Sequence, residues 1–128
     1  MIERFLRKNI TSLNHHLTMG FLESKGIYPS EDESIVITNF LKENIDFILA
    51  VGGGSAIDSA KAIAYGLAEP EEDVWDLYLH KRTPKACLPL GAVLTISAAG
   101  SETSASSVIT KWETGEKRSC NSDIARPK

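Results

Sequence analysis

The sequence feature that most constrains the fold is a continuous apolar run that ends directly in three glycines. Residues 47–51 are all apolar, without polar alternation, which is typical of a strand covered on both faces in a parallel sheet. Gly52, Gly53, Gly54 and then Ser55 follow at once, and we call these four residues the glycine turn. Apolar residues next recur at helical spacing over residues 57–67. The stretch therefore predicts a strand, a tight turn and a helix.

The glycine turn has the composition of an anion-binding site. Glycines allow the backbone to turn through positive φ and to approach a ligand without an intervening Cβ. Ser55 is the expected N-cap of the helix, and Asp58 stands three residues later, where its carboxylate can bond back to the cap. Free amides and the positive end of the helix dipole would then favour a phosphate. On these residues alone, a structural turn and a phosphate cradle remain equally open.

Two well-known phosphate-binding patterns are absent from this turn. The dinucleotide pattern G-x-G-x-x-G, begun at Gly52, would require glycine where Ile57 stands. The Walker A pattern would require Gly-Lys-Ser/Thr, where this chain has Ser55, Ala56 and Ile57. Neither pattern assigns the ligand.

The remaining elements predict an α/β fold. A second apolar run at residues 88–96 predicts another strand, and two strands joined by a helix imply a right-handed βαβ crossover. A hairpin is expected from residues 107–110 through a turn at residues 113–116. Residues 2–17 have the spacing of an amphipathic helix, and a capping box at residues 30–33 opens a further helix that ends near Asn44. The predicted class is a Rossmann-like parallel sheet with flanking helices and a hairpin.

Composition limits the possible partners. The 128 residues, 42% of them hydrophobic, suit one soluble domain. The formal net charge of -3 does not favour nucleic acid or an anionic membrane surface. No apolar run approaches the roughly 18 residues that span a bilayer. We therefore expect a cytoplasmic protein without nucleic-acid or membrane partners.

Cysteine and histidine placement predicts no metal site. Cys87 and Cys120 lack CxxC spacing and are interpreted as buried or idle thiols. His15 and His16 are adjacent, so on a helix they would point about 100° apart. His80 has no ligand partner three or four residues further along the chain. We assign no metal ligands and no catalytic residue.

A resemblance to a known family is carried by two sequence blocks. Residues 52–62, GGGSAIDSAKA, resemble the signature GGGS-x-x-D-x-A-K of the iron-dependent (group III) alcohol dehydrogenases, in particular their butanol dehydrogenase-like branch. Residues 95–102, TISAAGSE, are similar to the T-x-x-A-G-x-G-S-E loop of that family, and the hairpin that continues to Lys117 resembles the next family element. The resemblance implies a partial N-terminal nucleotide-binding domain over residues 1–128, with a divergent helical start at 1–27 and a family-like core at 28–128.

The resemblance also implies a cofactor and its contacts. The cofactor is NAD or NADP, and the glycine turn, including Gly52, holds its pyrophosphate. Gly53, Gly54 and Ser55 face the pyrophosphate. Asp58 lies near the nicotinamide end, Thr95 lines the cofactor cleft, and Lys117 reaches the nicotinamide ribose.

The implied activity is reversible hydride transfer between a small-molecule alcohol and an aldehyde. Family members bind Fe2+ or Zn2+ with one Asp and three His from a C-terminal helical domain, and the metal polarises the alcohol oxygen. We expect that domain to be absent from this chain, which would then carry part of the dinucleotide site and be inactive alone. A homo- or hetero-oligomer is possible. The alternatives are a non-catalytic nucleotide-binding or subunit-pairing module, and a truncated gene fragment.

Overall fold

A computed structural model describes residues 45–111 and 113–128. The elements, in chain order, are β1 (Ile48–Gly52), α1 (Gly54–Ala68), α2 (Trp75–Tyr78), β2 (Leu90–Leu94), β3 (Ser106–Thr110), β4 (Lys117–Asn121) and a 3-10 helix (Asp123–Ala125). The helices predicted at residues 2–17 and after residues 30–33 lie outside the described residues.

Strands β1 and β2 form a parallel pair. Their register runs from Ile48 opposite Leu90 to Gly52 opposite Leu94, with α1 between them in the chain. The predicted strand, turn, helix and second strand are confirmed, as is the α/β class. The observed strands Ile48–Gly52 and Leu90–Leu94 differ in their bounds from the predicted runs 47–51 and 88–96.

The two faces of β1 are not covered equally. Ile48 and Ala50 are completely buried, whereas Leu49 and Val51 are only partly buried. The apolar run predicts a strand covered on both faces, and within the described residues the face of Ile48 and Ala50 is fully buried while the other face is partly buried. Helix α1 packs against β1 and shares the core with Ile48 and Ala50, so this helix buries the face that those two residues occupy.

Helix α1 is the centre of the described part of the chain. It packs against β1 and against β3, and all residues from 56 to 66 are buried. Small side chains make this possible, since four alanines of α1 are 6% exposed or less and let neighbouring backbones approach closely: Ala56, Ala60, Ala62 and Ala64. A helix buried on every side places its N-terminal turn at a fixed point relative to the strands.

Strands β3 and β4 form the predicted hairpin. They pair antiparallel, from Ser106 opposite Asn121 to Thr110 opposite Lys117. Gly115 has φ +69° in the connecting turn, a conformation that glycine adopts without steric cost. Both the hairpin and the position of its turn are confirmed.

Two stacked aromatic side chains of α2, Trp75 and Tyr78, pack in the core, and Tyr78 contacts the hairpin. The rings of Trp75 and Tyr78 stack with centroids 5.8 Å apart, and both side chains belong to the buried core. The Tyr78 hydroxyl lies 2.7 Å from Ser107 Oγ, which in turn donates to the backbone oxygen of Asp58 at 2.9 Å. Tyr78 therefore packs in the core and links α2, β3 and α1.

Within residues 45–111 and 113–128, no helix is long and apolar enough to cross a membrane.

Candidate functional site

The glycine turn leads directly from β1 into α1. Gly53 is the N-cap, with φ −83° and ψ −172°, and no side chain caps the helix. The Ile57 amide donates to the Gly53 carbonyl oxygen at 3.2 Å and forms the first i to i−4 bond of the helix. The amides of Gly54, Ser55 and Ala56 precede that bond and have no acceptor within the helix. Three N–H donors therefore cluster at the positive end of the helix dipole.

Two expectations about this turn are wrong. Ser55 was expected to be the N-cap, but it is the second residue of α1 and is exposed. The glycines were expected to use positive φ, yet among the described glycines only Gly100 and Gly115 do so. The physical reason is that Gly53 is extended and leads straight into the helix, so the turn requires no left-handed residue.

Space explains why glycines occur in the turn. A Cβ on Gly52 would lie 2.7 Å from the Cβ of Ala56, and one on Gly54 would lie 3.2 Å from Ser101 Oγ. A Cβ on Gly53 would meet nothing within 4 Å. Gly52 is thus required by close packing, and a Cβ at position 54 would need a small shift of the Ser101 side chain, whereas Gly53 borders open space beside the free amides.

Thr95 lies at the same edge of the sheet as the glycine turn. Its amide donates to the Gly52 carbonyl oxygen at 3.0 Å, because β1 and β2 are parallel and their carboxyl ends meet. The residue itself is exposed. Ligands of open α/β sheets bind at the carboxyl ends of the strands. The structure therefore brings Thr95 and the glycine turn together in a position suited to a ligand.

Asp58 joins α1 to the hairpin. It is 9% exposed, and its Oδ2 accepts the Val108 amide at 3.1 Å. It does not bond back to the helix cap as expected, because β3 supplies this competing donor. Desolvation raises the pKa of Asp58 against the lowering effects of the Val108 amide, the Ser101 side chain and the charges of Lys61 and Lys117.

Lys117 is the first residue of β4 and is exposed. Its strand partner is Thr110. The positive charge of Lys117 is close enough to Asp58 to lower the pKa of that carboxyl, although burial keeps the net shift upward. The structure thus brings Lys117 into electrostatic range of Asp58.

Sequence reasoning missed the role of Lys61. Its side chain is completely buried, and its Nζ donates to three backbone carbonyl oxygens, those of Ser101, Ser104 and Ser106. A lysine three residues after Asp58, within a helix of small residues, was the available signal. Ser101 was likewise missed as a neighbour of Gly54.

No metal-binding group lies in the described part of the chain. Across residues 45–111 and 113–128, no cluster of three or more His, Cys, Asp or Glu side chains is arranged to hold an ion. His80, the histidine in this part, is exposed. The described residues therefore do not fit a set of one Asp and three His.

Comparison with known proteins gives the family context. The profile of the family described as iron-containing alcohol dehydrogenase matches residues 4–128. The probable NADH-dependent butanol dehydrogenase 1 of Bacillus subtilis is 48% identical over 109 residues, which cover 83% of this chain and 28% of that protein. The NADPH-dependent aldehyde reductase YqhD of Escherichia coli is 37% identical over 114 residues, covering 85% of this chain and 30% of that protein.

A solved structure supports the same relationship. The crystal structure of the NADH-dependent butanol dehydrogenase A of Thermotoga maritima superimposes with a TM-score of 0.72 at 38% identity. The match covers 84% of this chain and 29% of that chain. The chain thus spans less than a third of the length of each of these relatives.

Proposed function

The chain belongs to the iron-containing alcohol dehydrogenase family, and from this premise we propose that it carries part of the NAD or NADP site of an enzyme that transfers a hydride between an alcohol and an aldehyde, and that it is inactive alone. One observation carries the proposal. The uncapped N-terminal turn of α1 stands next to open space at Gly53, at the carboxyl ends of two parallel strands. This arrangement suits the diphosphate of a dinucleotide.

The chemistry of the turn fits a diphosphate. The amides of Gly54, Ser55 and Ala56 are donors, and diphosphate oxygens are charged acceptors. A hydrogen bond to a charged group contributes about 1.5–3 kcal/mol, and the helix field adds about 0.3–1 kcal/mol. Direct amide contacts would therefore supply most of the affinity. The open space at Gly53 lets the ligand approach without meeting a side chain.

Each residue of the proposed site has a separate role. Gly53, Gly54 and Ser55 face the diphosphate, and Gly52 permits the close packing that the turn requires. Thr95 lines the cofactor cleft. When bound, the nicotinamide ring would accept or deliver the hydride.

The nicotinamide end of the proposed site involves Asp58 and Lys117. Lys117 is exposed, and we assign its ammonium to the nicotinamide ribose. Asp58 is buried and tied to the Val108 amide, so we assign it to fixing α1 against β3 at this end. The described residues do not fit the family's metal ligands, and we derive no step through a metal.

Calorimetric titration of the chain with NAD+, NADP+ and ADP-ribose tests the proposal. ADP-ribose keeps the diphosphate and both riboses but lacks nicotinamide, so we expect it to bind as the dinucleotides do. Adenosine is the matched control, because it has no phosphate. Absence of binding by all three ligands, or equal affinity for adenosine, would refute a diphosphate site. Aldehyde reduction by NADH or NADPH with added Fe2+ or Zn2+ tests the catalytic part separately. We expect no turnover by this chain alone, and clear turnover would contradict that expectation.

A further inference from the structure

A buried ammonium lies behind the proposed site and is not used by it. Lys61 is 0% exposed. Its Nζ donates to the carbonyl oxygens of Ser101 at 2.8 Å, Ser104 at 2.8 Å and Ser106 at 2.7 Å. A lysine ammonium has three donors, so the three carbonyls account for all of them. All three acceptors belong to one stretch of backbone, residues 101–106, which we call the 101–106 segment.

The environment of Lys61 shows that the charge is costly to bury. Desolvation lowers the pKa of Lys61, and the charge of Asp58 opposes that effect. The Asp58 Oδ1 atom lies 3.9 Å from Nζ, so the carboxylate partly balances the ammonium. Buried charges are sometimes retained because they fix one conformation rather than because they add stability. The conformation fixed here is that of the 101–106 segment.

The 101–106 segment is held from two sides. On one side, three of its carbonyl groups turn toward Lys61 Nζ on α1. On the other side, the Ala105 carbonyl accepts the Ser122 amide at 3.1 Å, and Ser106 pairs with Asn121 of β4. Lys61 therefore supplies three hydrogen bonds that join the segment to α1, in addition to those that join it to the hairpin.

The same segment borders the glycine turn. Ser101 Oγ would lie 3.2 Å from a Cβ on Gly54, so the start of the segment packs against the first residue of α1. Lys61 stands about two helical turns after Gly54 on the same helix. One rigid helix thus presents the free amides and also holds the loop that borders them.

We propose that Lys61 is a positioning residue for dinucleotide binding. Its ammonium holds the 101–106 segment against α1, so that the loop from Thr95 to Ser101 is fixed beside the bound riboses and diphosphate. Lys61 itself does not touch the ligand. This inference rests on the proposed function, because it requires a dinucleotide at the glycine turn.

The test compares Lys61→Met with Lys85→Met. Methionine keeps about the length of the lysine side chain and removes its hydrogen-bond donors. Lys85 is exposed, so Lys85→Met makes the same chemical change on the surface and serves as the control. In hydrogen exchange, we expect the amides of the 101–106 segment to exchange at least about ten-fold faster in Lys61→Met, while β1 stays within about two-fold. Lys85→Met should match the wild type.

Ligand affinities separate positioning from a general loss of stability. Under conditions where Lys61→Met is fully folded, we expect the Kd for ADP-ribose to rise about ten-fold, a change of about 1.4 kcal/mol. Inorganic pyrophosphate reaches only the amides of the turn, so its Kd should change about two-fold or less. An unchanged Kd for ADP-ribose, or an equal loss for both ligands, would overturn the positioning role while leaving the proposed function intact. Absence of ADP-ribose binding by the wild type would instead refute the proposed function and the inference with it.

A measurement on the unaltered chain covers the case in which Lys61→Met does not fold. The ammonium of Lys61 should give a resolved, slowly exchanging 1H–15N signal, because its protons are buried and bonded to carbonyls. Saturation with ADP-ribose should shift that signal, since the ligand fixes the segment that the ammonium holds. A signal that does not move while ADP-ribose binds would overturn the inference.

Discussion

Replacing Gly53 with aspartate should affect stability and ligand binding in opposite directions. Gly53 is the N-cap of α1, with φ −83° and ψ −172° and no side-chain cap bond. Those angles lie in the extended region that capping residues adopt, and a new side chain there meets nothing within 4 Å. In Gly53→Asp, the carboxylate would accept a hydrogen bond from the amide of Ser55 or Ala56, which are the donors assigned to the diphosphate.

The expected magnitudes follow from this geometry. An aspartate cap stabilises a helix over glycine by a few tenths of a kcal/mol, and a negative charge at the N-terminus adds about 0.3–1 kcal/mol. The free energy of unfolding should therefore rise by about 0.5–1.5 kcal/mol. Loss of one or two charged hydrogen bonds costs the ligand about 1.5–6 kcal/mol, and the carboxylate also repels the diphosphate. The Kd for ADP-ribose should therefore rise at least about ten-fold, since each 1.4 kcal/mol corresponds to a factor of ten.

Urea denaturation and calorimetric titration measure the two effects on the same sample. Gly53→Asn is the matched control, because it occupies the cap without adding charge and should weaken binding less than Gly53→Asp. Binding of ADP-ribose to Gly53→Asp with wild-type affinity would refute the assignment of these amides to the diphosphate. A lower free energy of unfolding in that variant would refute the geometry of the cap.

Three further predictions concern close contacts and buried groups in the described part of the chain. Gly52→Ala should lower the free energy of unfolding by about 1–3 kcal/mol, because its Cβ would lie 2.7 Å from that of Ala56; an unchanged urea midpoint would contradict the predicted clash. Burial raises the pKa of the Cys87 thiol from 9.0 to about 11. The folded state therefore binds this proton more tightly than the unfolded state does. As pH rises from 9 to 11, the free energy of unfolding should fall by about 2–3 kcal/mol. That loss should be absent from the Cys87→Ala variant, and denaturation curves that depend on pH identically in both proteins would exclude it. Tyr78→Phe removes the hydroxyl 2.7 Å from Ser107 Oγ and should lower the urea midpoint by an amount equivalent to about 1–2 kcal/mol; a midpoint equal to that of the wild type would show that the bond adds nothing.

Local sequence patterns determined the elements of this fold and their order. The apolar run, the glycines and the helical spacing that follows predicted β1, the turn and α1, because each pattern reflects backbone geometry over a few neighbouring residues. Parallel pairing of β1 with β2 then brings Thr95 to the glycine turn, because the carboxyl ends of parallel strands meet. The family resemblance implied that Thr95 belongs to the site, and the parallel pairing supplies the physical reason for its position.

Only the tertiary structure decided how those elements are held together. How tightly position 54 is packed depends on Ser101, and Asp58 accepts its bond from Val108, 50 residues away. The carbonyls that hold Lys61 lie 40 to 45 residues along the chain. Such contacts follow from the packing of α1 between β1 and the hairpin, whereas local periodicity reports only which side of an element is apolar. The sequence therefore determined where donors could occur, and the packing determined which of them remain free for a ligand.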